Sequence, residues 1–141
     1  MLLLETLPVD KRRTVLDLVD ALATAPGVAA VVLGGSYARG TARPDSDVDL
    51  GLYYDPAAPF RIDDIARIAQ RVTVKPPTVT DFYGWGAWVN GGAWLHTATG
   101  KVDLLYRNLA QVERTISEAE QGIIQHDYPQ QPPYGFYSVT Y

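Results

Sequence analysis

The chain has 141 residues, a length that suits one domain built on one hydrophobic core. Hydrophobic residues make up 47% and charged residues 20%, which excludes a disordered chain, and the absence of cysteine excludes disulfides, thiolate metal sites and cysteine nucleophiles. The net charge of −4, with no basic cluster larger than Lys11-Arg12-Arg13, argues against long nucleic acid as a partner and leaves a single nucleotide open.

The start, MLLLETLPVDKRR, has an apolar stretch too short for a signal peptide, with its basic residues on the wrong side of it. No apolar run reaches bilayer length, so the sequence reads as a soluble, cytoplasmic protein without a membrane partner. Residues 10–25 predict an amphipathic helix with Val15, Leu16, Val19, Leu22 and Ala23 on one face, capped by Asp10 and stopped by Pro26-Gly27. The continuous apolar run VAAVVL, residues 28–33, predicts a buried strand, and the alternating DVDLGLYY, residues 47–54, a second one. Residues 61–72 predict a second amphipathic helix, with Ile62, Ile65, Ile68, Ala69 and Val72 on its inner face. Three strand-like pieces follow, VTDF, GAWLHTAT and KVDLLYR, and residues 108–122 predict a last helix closed by Gly122. This order implies an α/β (α+β) fold, a mixed sheet with helices mainly on one face.

The chemistry concentrates in GGSYARGTARPDSDVDL, residues 34–50. Side chains two apart on a strand share a face, so Asp47 and Asp49 project together while Val48, Leu50 and Leu52 point the other way. Two like charges held that close repel unless a cation sits between them. Hard carboxylate oxygens select Mg²⁺ or Mn²⁺. A solvated turn accounts for Asp45 and Ser46 but not for two aspartates in the strand itself. Gly34, Gly35 and Ser36 lie where the apolar strand ends, so their backbone N–H groups and the Ser36 hydroxyl form a candidate phosphate cradle facing that metal. A branched side chain at Gly35 should then block phosphate and spare the fold. Asp103, in KVDLLYR, reads alone either as an edge-strand charge or as an inward acid. Beside the Asp47/Asp49 pair it could complete the metal site and take the proton from an attacking hydroxyl.

These residues resemble the DNA polymerase β-like nucleotidyltransferase superfamily over residues 10–107 or so. The sequence is similar to the small bacterial members, which include antibiotic nucleotidyltransferases and minimal nucleotidyltransferases paired with toxins. The family pattern falls here on Gly35-Ser36, on Asp47-x-Asp49 and on Asp103. The resemblance implies a Mg²⁺-dependent enzyme that moves a nucleoside monophosphate from an NTP, ATP first among them, to an acceptor hydroxyl or phosphate and releases pyrophosphate. It assigns residues 1–125 to a nucleotidyltransferase domain. The Pro/Tyr-rich segment 126–141 then reads as the start of an acceptor-binding region, or as a surface for a second copy or partner protein through Tyr134, Phe136, Tyr137, Val139 and Tyr141. The other reading keeps the fold without catalysis, as a nucleotide-binding or antitoxin-like module.

Other residues stay open between two roles. Arg39, a candidate nucleotide ligand, and Arg43 could touch phosphate or pair with Asp45. His96 and Lys101 read as solvent-facing strand residues. Trp85, Trp88 and Trp94, with Tyr83, read as core or sheet packing, with a stacking wall for base or acceptor as the alternative.

Overall fold

The first helix, α1 (Val9–Ala23), buries Lys11, Val15, Leu18 and Leu22, residues that recur at helical spacing on one stripe. The inner face is rotated from the one the sequence suggested. Leu18 takes the core position, whereas Leu16 is 40% exposed and Ala23 also faces out. Asp10 is not the cap: the helix starts after Pro8 with no side-chain cap, and Asp10 lies in its first turn, where a carboxylate suits the helix dipole. The chain then turns through Gly27, at φ +90°, where a Cβ would overlap the Phe60 backbone.

The structure, a computed structural model, describes residues 5–88, 90–127 and 136–137. After α1 come β1 (Ala30–Leu33), the single-turn α2 (Gly35–Ala38), β2 (Val48–Tyr54), α3 (Ile62–Val72), β3 (Thr78–Val79), β4 (Gly92–Thr97), β5 (Gly100–Asn108) and α4 (Leu109–Glu120). The five strands form one sheet in the order β1-β2-β5-β4-β3, with β2 and β5 parallel and every other neighbour antiparallel. This is the mixed sheet of an α+β fold. The run 28–33 does not form a buried strand: among the described residues β1 lies at the sheet edge, paired with β2, and Val32 is 44% exposed. An unbroken apolar run does not distinguish an edge from a centre when one face of the edge strand is covered.

Strand β2 alternates without a break, with Val48, Leu50, Leu52 and Tyr54 buried against the helices and Asp49, Gly51 and Tyr53 on the other face. Strand β5 repeats the pattern beside it, with Val102, Leu104 and Tyr106 inward. Ile65, Ile68 and Ala69 of α3 close the core with the α1 stripe. Tyr54, Phe60, Phe82 and Tyr106 cluster at one end with ring centroids 4.7–5.5 Å apart. One sheet face is thus sealed by helices, and the opposite face carries the polar residues.

Asn108 caps α4 by accepting a hydrogen bond from the Gln111 N–H at 3.2 Å. Strands β6 (His126–Asp127) and β7 (Phe136–Tyr137) pair as a separate two-stranded sheet. The docking role expected of Tyr134, Val139 and Tyr141 falls outside the described residues. No helix among the described residues is long and apolar enough to cross a membrane.

Candidate active site

The strand register brings the acids together. Asp49 on β2 and Asp103 on β5 are direct partners of the parallel pair, so their side chains stand side by side on the open face. Both are half-buried. Burial, then the charge of Asp47, raises the Asp49 carboxyl above its usual range, and Arg39 pulls it back. Asp103 is pushed up to about 6, by burial first, then by Asp49 and Asp47, against the opposing charge of Lys101. Asp47 itself lies just before β2 and is exposed.

Burial accounts for the larger part of these shifts and mutual repulsion of the carboxylates adds to it, and a cation between them would oppose both. The donors are all hard oxygens, which fits Mg²⁺ or Mn²⁺. Among the described residues, no group of three His, Asp or Glu side chains stands assembled to hold a metal ion as it is. The acids fit such an ion by charge and donor type, with Asp49 and Asp103 fixed in register and Asp47 exposed beside them.

The glycine turn meets the acids from the next strand. Gly34 donates its N–H to the Asp49 carbonyl at 2.8 Å as β1 ends, and α2 starts at Gly35 with Ser36 half-buried behind it. Gly35 has φ +60°, and a Cβ there would overlap the Asp49 carboxylate. A substitution at Gly35 therefore does not spare the fold. The left-handed conformation alone costs a side chain roughly 1–2 kcal/mol, and the Asp49 carboxylate must also move. Gly35→Ala should lower the melting temperature by several degrees and weaken nucleotide binding together. A variant that melts with the parent would show the turn to be unconstrained.

Gly34, Gly35, Arg39 and Asp49 share an open cleft of about 500 Å³ with Val32, Gly51, Tyr53, Leu105 and Arg107. Arg39 thus comes to the acids and the cleft, while Arg43 pairs at 3.7 Å with Asp45, both about 80% exposed, where an ion pair contributes little. Lys101 is exposed and acts on Asp103 by its charge; His96 is half-buried on β4.

Two residues escaped sequence reasoning. Arg107 is 8% exposed on the cleft floor, an arginine that a strand pattern alone does not mark. Lys11 is 5% exposed, and its ammonium donates to the carbonyls of Ser46 at 2.7 Å and Pro44 at 3.0 Å, and to the Tyr37 hydroxyl at 3.4 Å. The Tyr37 hydroxyl in turn donates to the Arg43 carbonyl at 3.2 Å. Lys11 therefore ties down the loop that delivers Asp47. Its signal was present in the helical spacing it shares with Val15, Leu18 and Leu22.

A mixed sheet that ends one strand in a glycine turn, and sets carboxylates side by side on its two parallel strands, has the layout of a nucleotidyltransferase. The chain belongs to that family: the family model for the nucleotidyltransferase domain matches residues 15–93, more than half of the sequence. The match takes in the glycine turn, Asp47 and Asp49 and ends before Asp103. The chain is therefore a nucleotidyltransferase enzyme, as the polymerase β-like resemblance implied. A comparison with curated proteins finds no significant match.

Proposed function

We propose that this enzyme transfers a nucleoside monophosphate from an NTP, with ATP the first candidate, to a hydroxyl of a small molecule or protein, using Mg²⁺ or Mn²⁺. The observation that supports this most is the in-register pair Asp49 and Asp103, raised by burial and mutual charge, with Gly35 packed directly against Asp49. The triphosphate lies along Gly34, Gly35 and Ser36, where bare backbone allows close approach, and Arg39 adds positive charge. Asp47, Asp49 and Asp103 are the residues that would hold the divalent ion, which when bound supplies charge neutralisation for the phosphate oxygens. The acceptor oxygen attacks the α-phosphorus, the α–β bridging P–O bond breaks, and pyrophosphate leaves. Asp103 takes the acceptor's proton, from its place beside Asp49 on the neighbouring parallel strand.

The test is titration calorimetry of ATP, CTP, GTP and UTP with Mn²⁺, paired with pyrophosphate release over acceptor pools. Asp49→Asn should weaken Mn²⁺-dependent nucleotide binding by about tenfold or more, the equivalent of one lost charge-assisted contact. Unchanged affinity in that variant would remove Asp49 from the site.

A further inference from the structure

The open face continues past Asp103 onto an aromatic platform. Trp94 on β4 is the direct antiparallel partner of Asp103, so the indole and the carboxylate are neighbours on the same face. Trp85 stacks on Trp94 with ring centroids 4.9 Å apart and planes 23° apart, yet Trp94 remains 47% exposed. No tryptophan belongs to the buried core; the pair packs on the sheet surface, and Trp94 keeps an open face.

The loop that presents Trp85 is closely determined. Asn90, 2% exposed, accepts from the Tyr83 N–H at 2.6 Å and donates through Nδ2 to the Tyr54 hydroxyl at 2.8 Å. Its carbonyl accepts from the Trp85 N–H at 2.7 Å. Tyr83 and Asn90 both sit in the left-handed region, at φ 59° and 68°, a cost that persists only where the surroundings over-determine it. A Cβ at Gly92 would run into the Leu104 carbonyl and also stand 2.9 Å from Trp85 Cζ3, so the ring lies over bare backbone.

Across the sheet the order is glycine turn, Asp49, Asp103, Trp94, with neighbouring strands about 4.8 Å apart. In phosphoryl transfer the attacking and leaving oxygens lie roughly in line through phosphorus. With the triphosphate on the turn, the acceptor must arrive from the β4 side. We infer that Trp94, backed by Trp85, is an acceptor subsite, and that the acceptor carries a flat aromatic or heteroaromatic ring close to its reacting hydroxyl. This rests on the transfer reading above. An exposed indole face gives sequence-tolerant stacking to any such ring.

The probe is p-nitrophenyl β-D-glucopyranoside, a flat ring joined to hydroxyls and free of phosphate, with methyl β-D-glucopyranoside as the ring-less control. Binding is read by tryptophan fluorescence quenching and by calorimetry, in the parent, Trp94→Ala and Trp94→Leu, with Mn²⁺-ATP affinity measured on each. The ring probe should bind saturably and the control should not. Trp94→Ala and Trp94→Leu should each weaken ring binding about tenfold and leave nucleotide affinity in place. Ring binding that is absent in the parent, or indifferent to Trp94, overturns the subsite. So does loss of ATP affinity in place of ring affinity, which would make Trp94 a wall for the nucleobase. Quenching by spermidine in place of the ring probe would overturn it too, since the platform would then serve a cation. A parent that binds the ring but no nucleotide would sink the transfer reading and with it the acceptor role, leaving Trp94 as a ring-binding platform only.

Discussion

Lys11→Met should lower the melting temperature by roughly 10 °C and weaken Mn²⁺-dependent nucleotide binding about tenfold, although Lys11 lies on a helix remote in sequence from every acid of the site. Methionine keeps the length of the side chain and loses the ammonium. The carbonyls of Pro44 and Ser46 then lose their donor, and the Tyr37 ring loses the cation 5.6 Å from its centre. Hydrogen bonds to a charged group contribute about 1.5–3 kcal/mol each, but releasing a buried ammonium from its desolvation cost returns part of that. A net loss of about 2–3 kcal/mol remains. The affinity loss has a separate cause. Residues 43–46 form a turn in which Ser46 donates its N–H to the Arg43 carbonyl and accepts the Arg43 N–H on its hydroxyl, both at 2.9 Å. Lys11 fixes that turn to α1, and Asp47 follows it directly. Without the anchor, Asp47 no longer sits where its charge bears on Asp49 and Asp103. Differential scanning calorimetry and nucleotide titration at a temperature well below melting separate the two effects. Full affinity in the folded variant would reduce Lys11 to a stabilising residue and nothing more.

The contrast between Lys11 and Asp49 shows what the sequence makes legible. Strict alternation in β2 announces both the buried set and the face of Asp49, because a period of two admits only two answers. The placement of Asp103 beside Asp49 could be anticipated as chemistry, but its register comes from a parallel pairing between strands far apart in the chain. Helix α3 was readable because its apolar residues keep one phase. Helix α1 was not, since Leu16 and Leu18 offer two competing stripes and only packing selects the second. The same rotation hid Lys11, which looks like part of a solvated basic cluster until Leu18 defines the buried stripe. Strand β1 was misplaced for a similar reason: apolar composition reports burial on one face, whereas its position at the edge is a property of the sheet order. The aromatic stretch around Trp85 and Trp94 is legible as packing or a stacking wall, but which two rings stack is not, because that depends on left-handed residues at Tyr83 and Asn90 that are not glycine.

Asp103→Asn should lose transfer by about a hundred- to ten-thousand-fold, the usual contribution of general-base assistance, while Mn²⁺-dependent nucleotide binding falls far less. The same substitution should make the metal-free protein more stable near neutral pH. The sign follows from the direction of the shift. Asp103 has an ordinary carboxylate value of 3.8 when unfolded and about 6 when folded, so the folded state binds its proton more tightly. The parent therefore holds this contribution fully below about pH 4 and loses it as the pH rises through about 6. Above that, the native state carries a repelled, half-buried anion that asparagine does not. A shift of this size would be worth roughly 3 kcal/mol for a fully buried group, and about 1 kcal/mol after screening at a half-exposed one. That is a gain of roughly 3–5 °C in melting temperature at pH 7–8 with a chelator present, shrinking to nothing below about pH 4. A carboxylate that weakens the fold near neutral pH is the expected cost of half-burying it beside Asp49. Loss of nucleotide binding and turnover in equal measure would make Asp103 a metal ligand before it is a base. Unchanged turnover would remove Asp103 as the base, and a variant less stable than the parent at pH 8 would show that its charge is not held at a cost to the fold.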